Sequence, residues 1–327
     1  NRQQNAGGDD SSPVSLDRKT RKLQNGHLGQ IRLQARSRGF RGALLLKRGL
    51  YRTSETLKIN ASGVVLRGEG QAKDGTVILY TSTSKDWIPL ILPEGKRNLT
   101  EVSGSRREIA DAYVPWGVKS FNLKSADGLA VGYKVIVLRP CTKQWLEDLA
   151  MIKIWKWEKD PHAFDFYFER EIVAVDGNRI TLDAPTVNAM EDKYGGGFVY
   201  KYKEEGALNQ FGIEHLRFIN AGKADIGVNF RRCVNCWMRN VTAVNFVRNL
   251  VNIGLGVDGH DSKDADCRFI TVQDCAYLKP PQRKGSKSPY IFDNAQFCLM
   301  QRCYTENGRH INSCSACSRP ERLSGYG

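Results

Sequence analysis

The chain has 327 residues, 26% charged and 41% hydrophobic, with 31 glycines and 11 prolines; these values exclude a collagen, a coiled coil or a wholly disordered chain. No apolar run approaches the ~20 residues that cross a bilayer as a helix, so no membrane span is expected. The start at Asn1, with neither a Met nor a signal peptide, predicts a processed or incomplete terminus. The net charge of +14, from 49 Lys plus Arg against 35 Asp plus Glu, points at first to an acidic partner. Its distribution weakens that reading. Residues 1–48 hold 11 basic and 3 acidic side chains and residues 279–327 hold 8 and 3, whereas residues 49–278 hold 30 and 29, a net of +1. Nucleic-acid readers interleave a basic stripe with aromatics on an ordered element. Here the excess sits in two end segments of poor periodicity, so nucleic acid is not an expected partner and the ends read as solvated basic segments.

Residues 1–38 show no pattern that predicts an element. From 39 to 110 the sequence reads as short strands at Ala43 to Leu46, Thr56 to Ile59, Val64 to Leu66, Val77 to Leu79 and Pro89 to Leu92, punctuated by Gly49, Gly63, Gly68, Gly70 and Gly75. No helical period appears. Residues 111–204 differ: β-rich runs at Phe121 to Leu123, Val135 to Leu138, Ile172 to Val175, Ile180 to Leu182 and Phe198 to Tyr202 surround Asp176-Gly177-Asn178, a strong hairpin signal. This predicts an inserted antiparallel β subdomain, in which Trp145 to Trp157 is the one helix or ordered loop.

From 205 to 310 the chain repeats. Ile213, Met238, Phe269 and Phe297 align at a period of about 25 to 31 residues. Three positions later stand Leu216, Val241, Val272 and Met300, then Ile219, Val244, Cys275 and Cys303; two before the first set stand Phe211, Cys236, Cys267 and Ala295. All but the thiols are apolar. Ladders of like residues at this period are what a parallel β-helix requires, because inward side chains of successive coils line up along the axis. The expected architecture is an all-β parallel β-helix (a solenoid) carrying the antiparallel insert.

The nine cysteines include two Cys-x-x-Cys pairs, Cys233/Cys236 and Cys314/Cys317, the spacing of a four-thiolate zinc site. The ladder instead places Cys236 inside the solenoid, where thiols act as small hydrophobes, so no metal site is assigned. It also sets Cys236 beside Cys267 and Cys275 beside Cys303. Neighbouring strands lie ~4.8 Å apart, within reach of a disulfide in an oxidising compartment. Buried free thiols are the plainer expectation.

Leu46-Lys47-Arg48-Gly49-Leu50-Tyr51, followed by Leu57-Lys58-Ile59 and by Ser62-Gly63-Val64-Val65-Leu66-Arg67-Gly68-Glu69-Gly70, resembles the opening coils of the pectate-lyase-like superfamily of right-handed parallel β-helix proteins. Asp111-Ala112-Tyr113-Val114-Pro115, Tyr194-Gly195-Gly196-Gly197, and the run from Val272-Gln273-Asp274-Cys275 through Gln301-Arg302-Cys303-Tyr304 to Asn307-Gly308-Arg309-His310 are similar to a mostly uncharacterised bacterial branch of it. The likeness covers about residues 39–310 and implies a secreted, periplasmic or cell-surface bacterial protein acting on or binding polysaccharide. The tail, 311–327, departs from that branch's pattern, in which Gly-Arg-His leads into an aspartate and then Gly-Pro-Asn-Val-Phe-Leu-Asp. Codons permitted for Cys317 to Gly327 can be shifted by one base to read Ala-Ala-Gly-Pro-Asn-Val-Phe-Leu-Asp-Met, which predicts a frameshift after His310.

Two chemistries compete on such a fold. A lyase removes the proton beside a uronate carboxylate, using a base together with a cation or Ca²⁺ that neutralises the carboxylate and the developing enolate. A hydrolase needs two carboxyl groups ~5 to 9.5 Å apart. The resemblance makes Arg309 and His310 the leading catalytic candidates, with Tyr290 and Asp293 before the next inward strand. Arg283, Lys284 and Lys287 form a basic loop suited to carboxylates, and Arg302 joins them as a substrate-binding candidate. Trp155 and Trp157, with Trp145, could stack on sugar rings. Asp258, Asp261, Asp264 and Asp266 cluster with His260 in a loop that could bind Ca²⁺ but lacks the glycine and terminal glutamate of an EF-hand. The leading expectation is β-elimination on a uronate-containing, acidic polysaccharide. A glycoside hydrolase is the first alternative and a non-catalytic, tailspike-like glycan-binding adhesin the second.

Overall fold

The computed structural model describes residues 21–24, 39–83, 88–155, 165–254, 267–281, 288–293, 295–307 and 312–314. The glycine-punctuated runs form the coils of a parallel β-helix. One coil contributes Gly42–Leu45, Gly49–Thr53 and Leu57–Ile59, and the next Val64–Arg67, Thr76–Tyr80 and Pro89–Pro93. Leu44 lies on Leu66, Tyr51 on Ile78 and Leu57 on Ile91, all in parallel. After the insert the stack resumes with Gly212–Asn220 and Ile226–Phe230, then Cys233–Val244 and Asn249–Ile253, then Cys267–Gln273, Ala276–Leu278 and Tyr290–Phe292. Ile213 pairs back onto Leu66 and Arg217 onto Val77, so the coils on either side of the insert are continuous. They build a 13-stranded and a six-stranded sheet around one apolar core. Among the described residues no helix is long and apolar enough to cross a membrane.

The strand register tests the predicted ladder directly. Ile213 pairs with Met238, Met238 with Val272 and Val272 with Met300. The first step, Ile213 to Met238, holds, and so does the last, since Val272 and Met300 stand in one row as expected. The middle step does not: Met238 meets Val272 and not Phe269, so that coil is longer than expected. The slip has a local cause. Inward residues of this coil, Cys233, Cys236, Met238, Val241 and Ala243, step by three and two in turn, and three residues before Val272 stands the apolar but 42% exposed corner residue Phe269, so apolarity alone admits it to the inward row. Cys275 keeps Cys303 as its neighbour, since Ala276 pairs with Tyr304. Cys267 stands beside Cys233 rather than Cys236, since Val234 pairs with Arg268.

The corners repeat the same register. Gln210, Asn235, Phe269 and Phe297 all have φ between 53° and 57°, and His215, Asn240, Asp274 and Arg302 between 50° and 55°. Each set advances from coil to coil by the same intervals as the inward row Ile213, Met238, Val272 and Met300. One left-handed residue resets the inward alternation, so that Phe211 and Ile213 point inward before His215, and Leu216 and Phe218 after it. Side chains other than glycine adopt this conformation at a cost; it persists because strands on both sides fix it.

The insert runs from Asn98 to Glu205. Its seven-stranded sheet is antiparallel, with Val137 opposite Phe168 on one side and Val199 on the other. The predicted Asp176-Gly177-Asn178 hairpin is present, with Gly177 at φ 55°, and short helices occupy Lys143–Asp148 and Ile152–Trp155. The insert begins earlier than the expected boundary at Asp111, because Asn98–Glu101 and Arg107–Glu108 pair with Phe198–Glu205 and not with a coil. Two further segments join the coils. Arg21 and Lys22, in the basic N-terminal region, pair with Tyr51 and Arg52, and Asn312–Cys314, in the atypical tail, pairs with Tyr290–Phe292.

A buried charge cluster fastens insert to coils. Glu169 accepts bonds from Arg97 (2.5 Å), Arg268 (2.7 Å) and the Tyr202 hydroxyl (3.1 Å). Arg97 also reaches Glu204 (2.5 Å), and the Glu169 backbone N–H donates to the Gln296 side chain (3.1 Å). Burial pushes the Glu169 carboxyl up, but the two guanidinium charges and the bonds from Arg97 and Tyr202 outweigh it and hold it below the usual carboxylate range.

Candidate functional site: a groove across the coils

The outward residues of the 13-stranded sheet line up as strictly as the inward ones. One row is Val65, Gly212, Trp237, Thr271 and Leu299; the next is Arg67, Glu214, Arg239, Gln273 and Gln301. Strand alternation produces both rows, since the residues flanking inward Ile213 and Met238 must point out. Except for Gly212, Leu299 and Gln301, these residues line, with Phe40, a groove of about 340 Å³.

Glu214 is the fixed point of this groove. Its side chain is only 1% exposed, yet the two arginines that grip it, Arg67 (2.7 Å) and Arg239 (2.8 Å), are 44% and 43% exposed. The Trp237 indole N–H donates a third bond, at 2.7 Å. Burial raises the Glu214 carboxyl, but the Trp237 and Arg67 bonds and the Arg239 and Arg67 charges hold it below the usual carboxylate range. It therefore stays ionised and aims two guanidinium groups at solvent. Gly212 is required beneath the indole, because a Cβ there would collide with Trp237 Cε2. Phe40 meets the same ring edge-on, with centroids 6.1 Å apart. Gln301 donates to Gln273 across the last coils (3.0 Å).

This arrangement suits binding an anion beside an apolar face, as in a sugar carboxylate against an aromatic ring. Among the described residues lining the groove, Glu214 is the one carboxylate, and it is already engaged. That donor set does not suit Ca²⁺, which takes six to eight oxygens, and it lacks the paired carboxyls of a glycosidase. A larger hollow of about 570 Å³ at the root of the insert, lined by Lys58, Glu94, Lys96 and Arg232 among others, has no aromatic ring.

The residues singled out from sequence fall elsewhere. Tyr290 lies in the core, donating to the carbonyl oxygens of Cys275 (3.1 Å) and Tyr304 (3.2 Å), and burial pushes its phenol well above its ordinary range. Alternation explains this: Tyr290 and Phe292 point in, leaving Ile291 out. Asp293 is fully buried, its backbone N–H donating to Ile253 O (2.7 Å). The structure brings neither to the groove. Arg302 is exposed at the corner directly after Gln301 and holds Asp274 with two bonds, at 2.6 and 2.9 Å. Trp145 packs on Phe166 and Arg139 within the insert, and Trp155 closes the helix Ile152–Trp155. Arg283, Lys284, Lys287, Arg309, His310, Trp157 and the Asp258–Asp266 loop with His260 lie outside the described residues.

Glu214, Arg67, Arg239, Trp237 and Phe40 are not among the residues that sequence singles out. A signal for them exists: Trp237 and Arg239 flank Met238 in the ladder, as Gly212 and Glu214 flank Ile213, so the inward ladder names the outward rows.

No family model matches the chain, and no curated protein matches it. Solved structures similar to it include the tailspike protein gp49 from Pseudomonas phage LKA1 (16% identity, 81% of this chain and 48% of that chain, TM-score 0.37). Others are the Gp54 tailspike of Acinetobacter baumannii bacteriophage AP22, in complex with A. baumannii capsular saccharide (14%, 90% and 53%, 0.37), and the Pseudomonas phage phi297 tailspike gp61 (12%, 80% and 50%, 0.36). The chain spans about half the length of these proteins.

Proposed function

We propose that the chain binds an extended, carboxylate-bearing polysaccharide along the outer face of the 13-stranded sheet, and that β-elimination is the reaction this groove is built to assist. The observation that carries the reading is the Arg67–Glu214–Arg239 clamp beside Trp237. Two partly exposed guanidinium groups, fixed by a buried carboxylate, offer free N–H donors to a sugar carboxylate, and the indole offers a face to the ring. Elimination is favoured over hydrolysis because the described groove supplies cations and no second carboxyl group. In an elimination the same cations would neutralise the uronate carboxylate and the enolate that develops on it. The base is assigned to Arg309 or His310 by the resemblance, with Arg283, Lys284 and Lys287 extending the cation set.

The test is a panel of uronate-containing and neutral polysaccharides incubated with the protein, reading affinity at several salt concentrations and the ultraviolet absorbance of unsaturated product ends. The expected result is salt-sensitive binding to the uronate polymers with absorbance growing over time. New reducing ends without that absorbance would replace elimination by hydrolysis, and retained binding with neither product would leave an adhesin. Equal binding to neutral polymers, or none to any, would overturn the carboxylate-binding groove itself.

A further inference from the structure

We infer that Cys275 and Cys303 form a modification site, joined by an organic disulfide oxidant into a bond that staples two neighbouring coils. They occupy matching positions on adjacent coils, each just before a strand: Ala276 pairs in parallel with Tyr304, and the Tyr304 N–H donates to Cys275 O at 2.8 Å. Paired strands lie about 4.8 Å apart, inside the Cα separation of about 4.4–6.8 Å that a disulfide spans. Both side chains face the core, Cys275 at 2% exposure and Cys303 packed against the same cluster while half open to solvent. The two thiols lie close enough that each shifts the other's acidity, and the Tyr290 hydroxyl bonds both coils at Cys275 O and Tyr304 O. Tyr290, which the sequence suggests as a catalytic group, thus holds the two thiols in register.

The pair is also chemically ordered. The thiolate is the nucleophile in disulfide exchange. The hydrogen bond from Cys275, helped by Tyr290, brings the Cys303 thiol down to about 7 against the upward push of burial, while burial pushes Cys275 up. Cys303 therefore attacks first. Its sulfur displaces one thiolate from the oxidant, giving a mixed disulfide. Cys275 then loses its proton, attacks the Cys303 sulfur and displaces the second thiolate. Two protein thiols become one disulfide, the oxidant's disulfide becomes two thiols, and the two protons pass to those leaving groups. Cys233, Cys236, Cys267 and Cys298 are buried, and burial pushes the Cys233 and Cys298 thiols far up, so this inner group is not expected to react in the folded chain.

The experiment incubates the full chain, folded by its β-type circular dichroism, with oxidised glutathione, alkylates the remaining thiols and maps the peptides by mass spectrometry. The expected result is a Cys275–Cys303 linked peptide lighter by two hydrogens, with Cys233, Cys236, Cys267 and Cys298 alkylated only after denaturation. Cys303→Ser should abolish the link with no substitute elsewhere. Glutathione retained on Cys303 with Cys275 free, Cys303 linked instead to Cys314 or Cys317, or no oxidation at all would each overturn the inference. If Cys303→Ser does not fold, the map of the unsubstituted chain and the order of native alkylation, Cys303 first, decide it.

Discussion

Two carboxylates in this molecule, Glu169 and Glu214, are each gripped by two arginines and an aromatic donor, and they do different things. Glu169 is sealed where the insert meets the coils: its partners Arg97 and Arg268 are 1% and 11% exposed. Glu214 is equally buried, but its arginines stand nearly half exposed in the groove. The difference lies in what covers the guanidinium groups. At Glu169 all partners turn toward one another and the cluster fixes the position of a subdomain. At Glu214 the carboxylate neutralises and orients its arginines from below while nearly half of each arginine side chain stays open to solvent, as a preorganised anion-binding surface requires.

The sharpest way to break this comparison is at Glu169. Glu169→Ala leaves Arg97 and Arg268 without their shared partner, and removing one member of a buried ion pair costs about 3–5 kcal/mol; the drop should appear in the denaturant midpoint. The pH dependence follows from the sign of the shift. Glu169 and Glu214 both have folded pKa values below their unfolded ones, so their contribution is complete above the unfolded value of about 4.3 and is lost as pH falls through the folded values. Stability measured between pH 7 and pH 3 should fall steeply below about 4.3, and Glu169→Gln should flatten that fall. An unchanged acid limb in that variant would mean Glu169 is not the sealed ion it is drawn as.

The next effect is on ligand and not on folding. Arg239→Ala removes one exposed half of the groove clamp, and a hydrogen bond to a charged group is worth about 1.5–3 kcal/mol. Affinity for a uronate polymer should therefore fall about tenfold to a hundredfold and lose part of its salt dependence, whereas the denaturant midpoint should move far less than for Glu169→Ala. A smaller loss is expected for Gly212→Ala, which drives a methyl into the Trp237 ring. Displacing the indole forfeits its edge-on contact with Phe40, about 0.5–1.5 kcal/mol, and weakens affinity by up to about tenfold. Tryptophan fluorescence should shift in the same variant.

The two regions also differ in how much of them can be read from sequence. The coil period is legible because inward rows are apolar in every coil: Ile213 stands beside Met238, and Val272 beside Met300, as the repeat pairs them. The longer coil, from Met238 to Val272, reads as a shorter one because Phe269, three residues before Val272, is apolar although it stands exposed at a corner, and apolarity alone cannot separate those registers. The groove escapes notice for a related reason. Trp237, Glu214 and Arg67 come from three coils, and only the register brings them together; singly, each looks like an ordinary surface residue. Arg97, Glu169 and Arg268 are hidden more deeply, since their meeting depends on how the insert docks, which no repeat encodes. Tyr290 misleads because its strand reads as preceding an inward strand, when it is itself inward.

Arg302 supplies the smallest effect and the finest discrimination. It sits at the left-handed corner immediately after Gln301, which extends the outward row of the groove by one coil, with φ 50°, and its guanidinium is turned onto Asp274 in the same corner row of the preceding coil. Arg302 is well exposed and Asp274 partly so, where ion pairs contribute little to stability because water solvates either partner nearly as well. Arg302→Ala should therefore leave the denaturant midpoint within the scatter of the parent. Its effect on polysaccharide affinity should be smaller than that of Arg239→Ala, because Arg302 is anchored by an exposed carboxylate and not by a buried one. Freed of its partner, however, Asp274 becomes an uncompensated negative charge at the rim of a groove proposed to take an anion. The loss should accordingly grow as salt is lowered, since an unscreened Asp274 then repels the polymer. An Asp274→Asn, Arg302→Ala double variant should recover that salt-dependent part. If the double variant binds no better than Arg302→Ala at low salt, the corner lies outside the polymer's path.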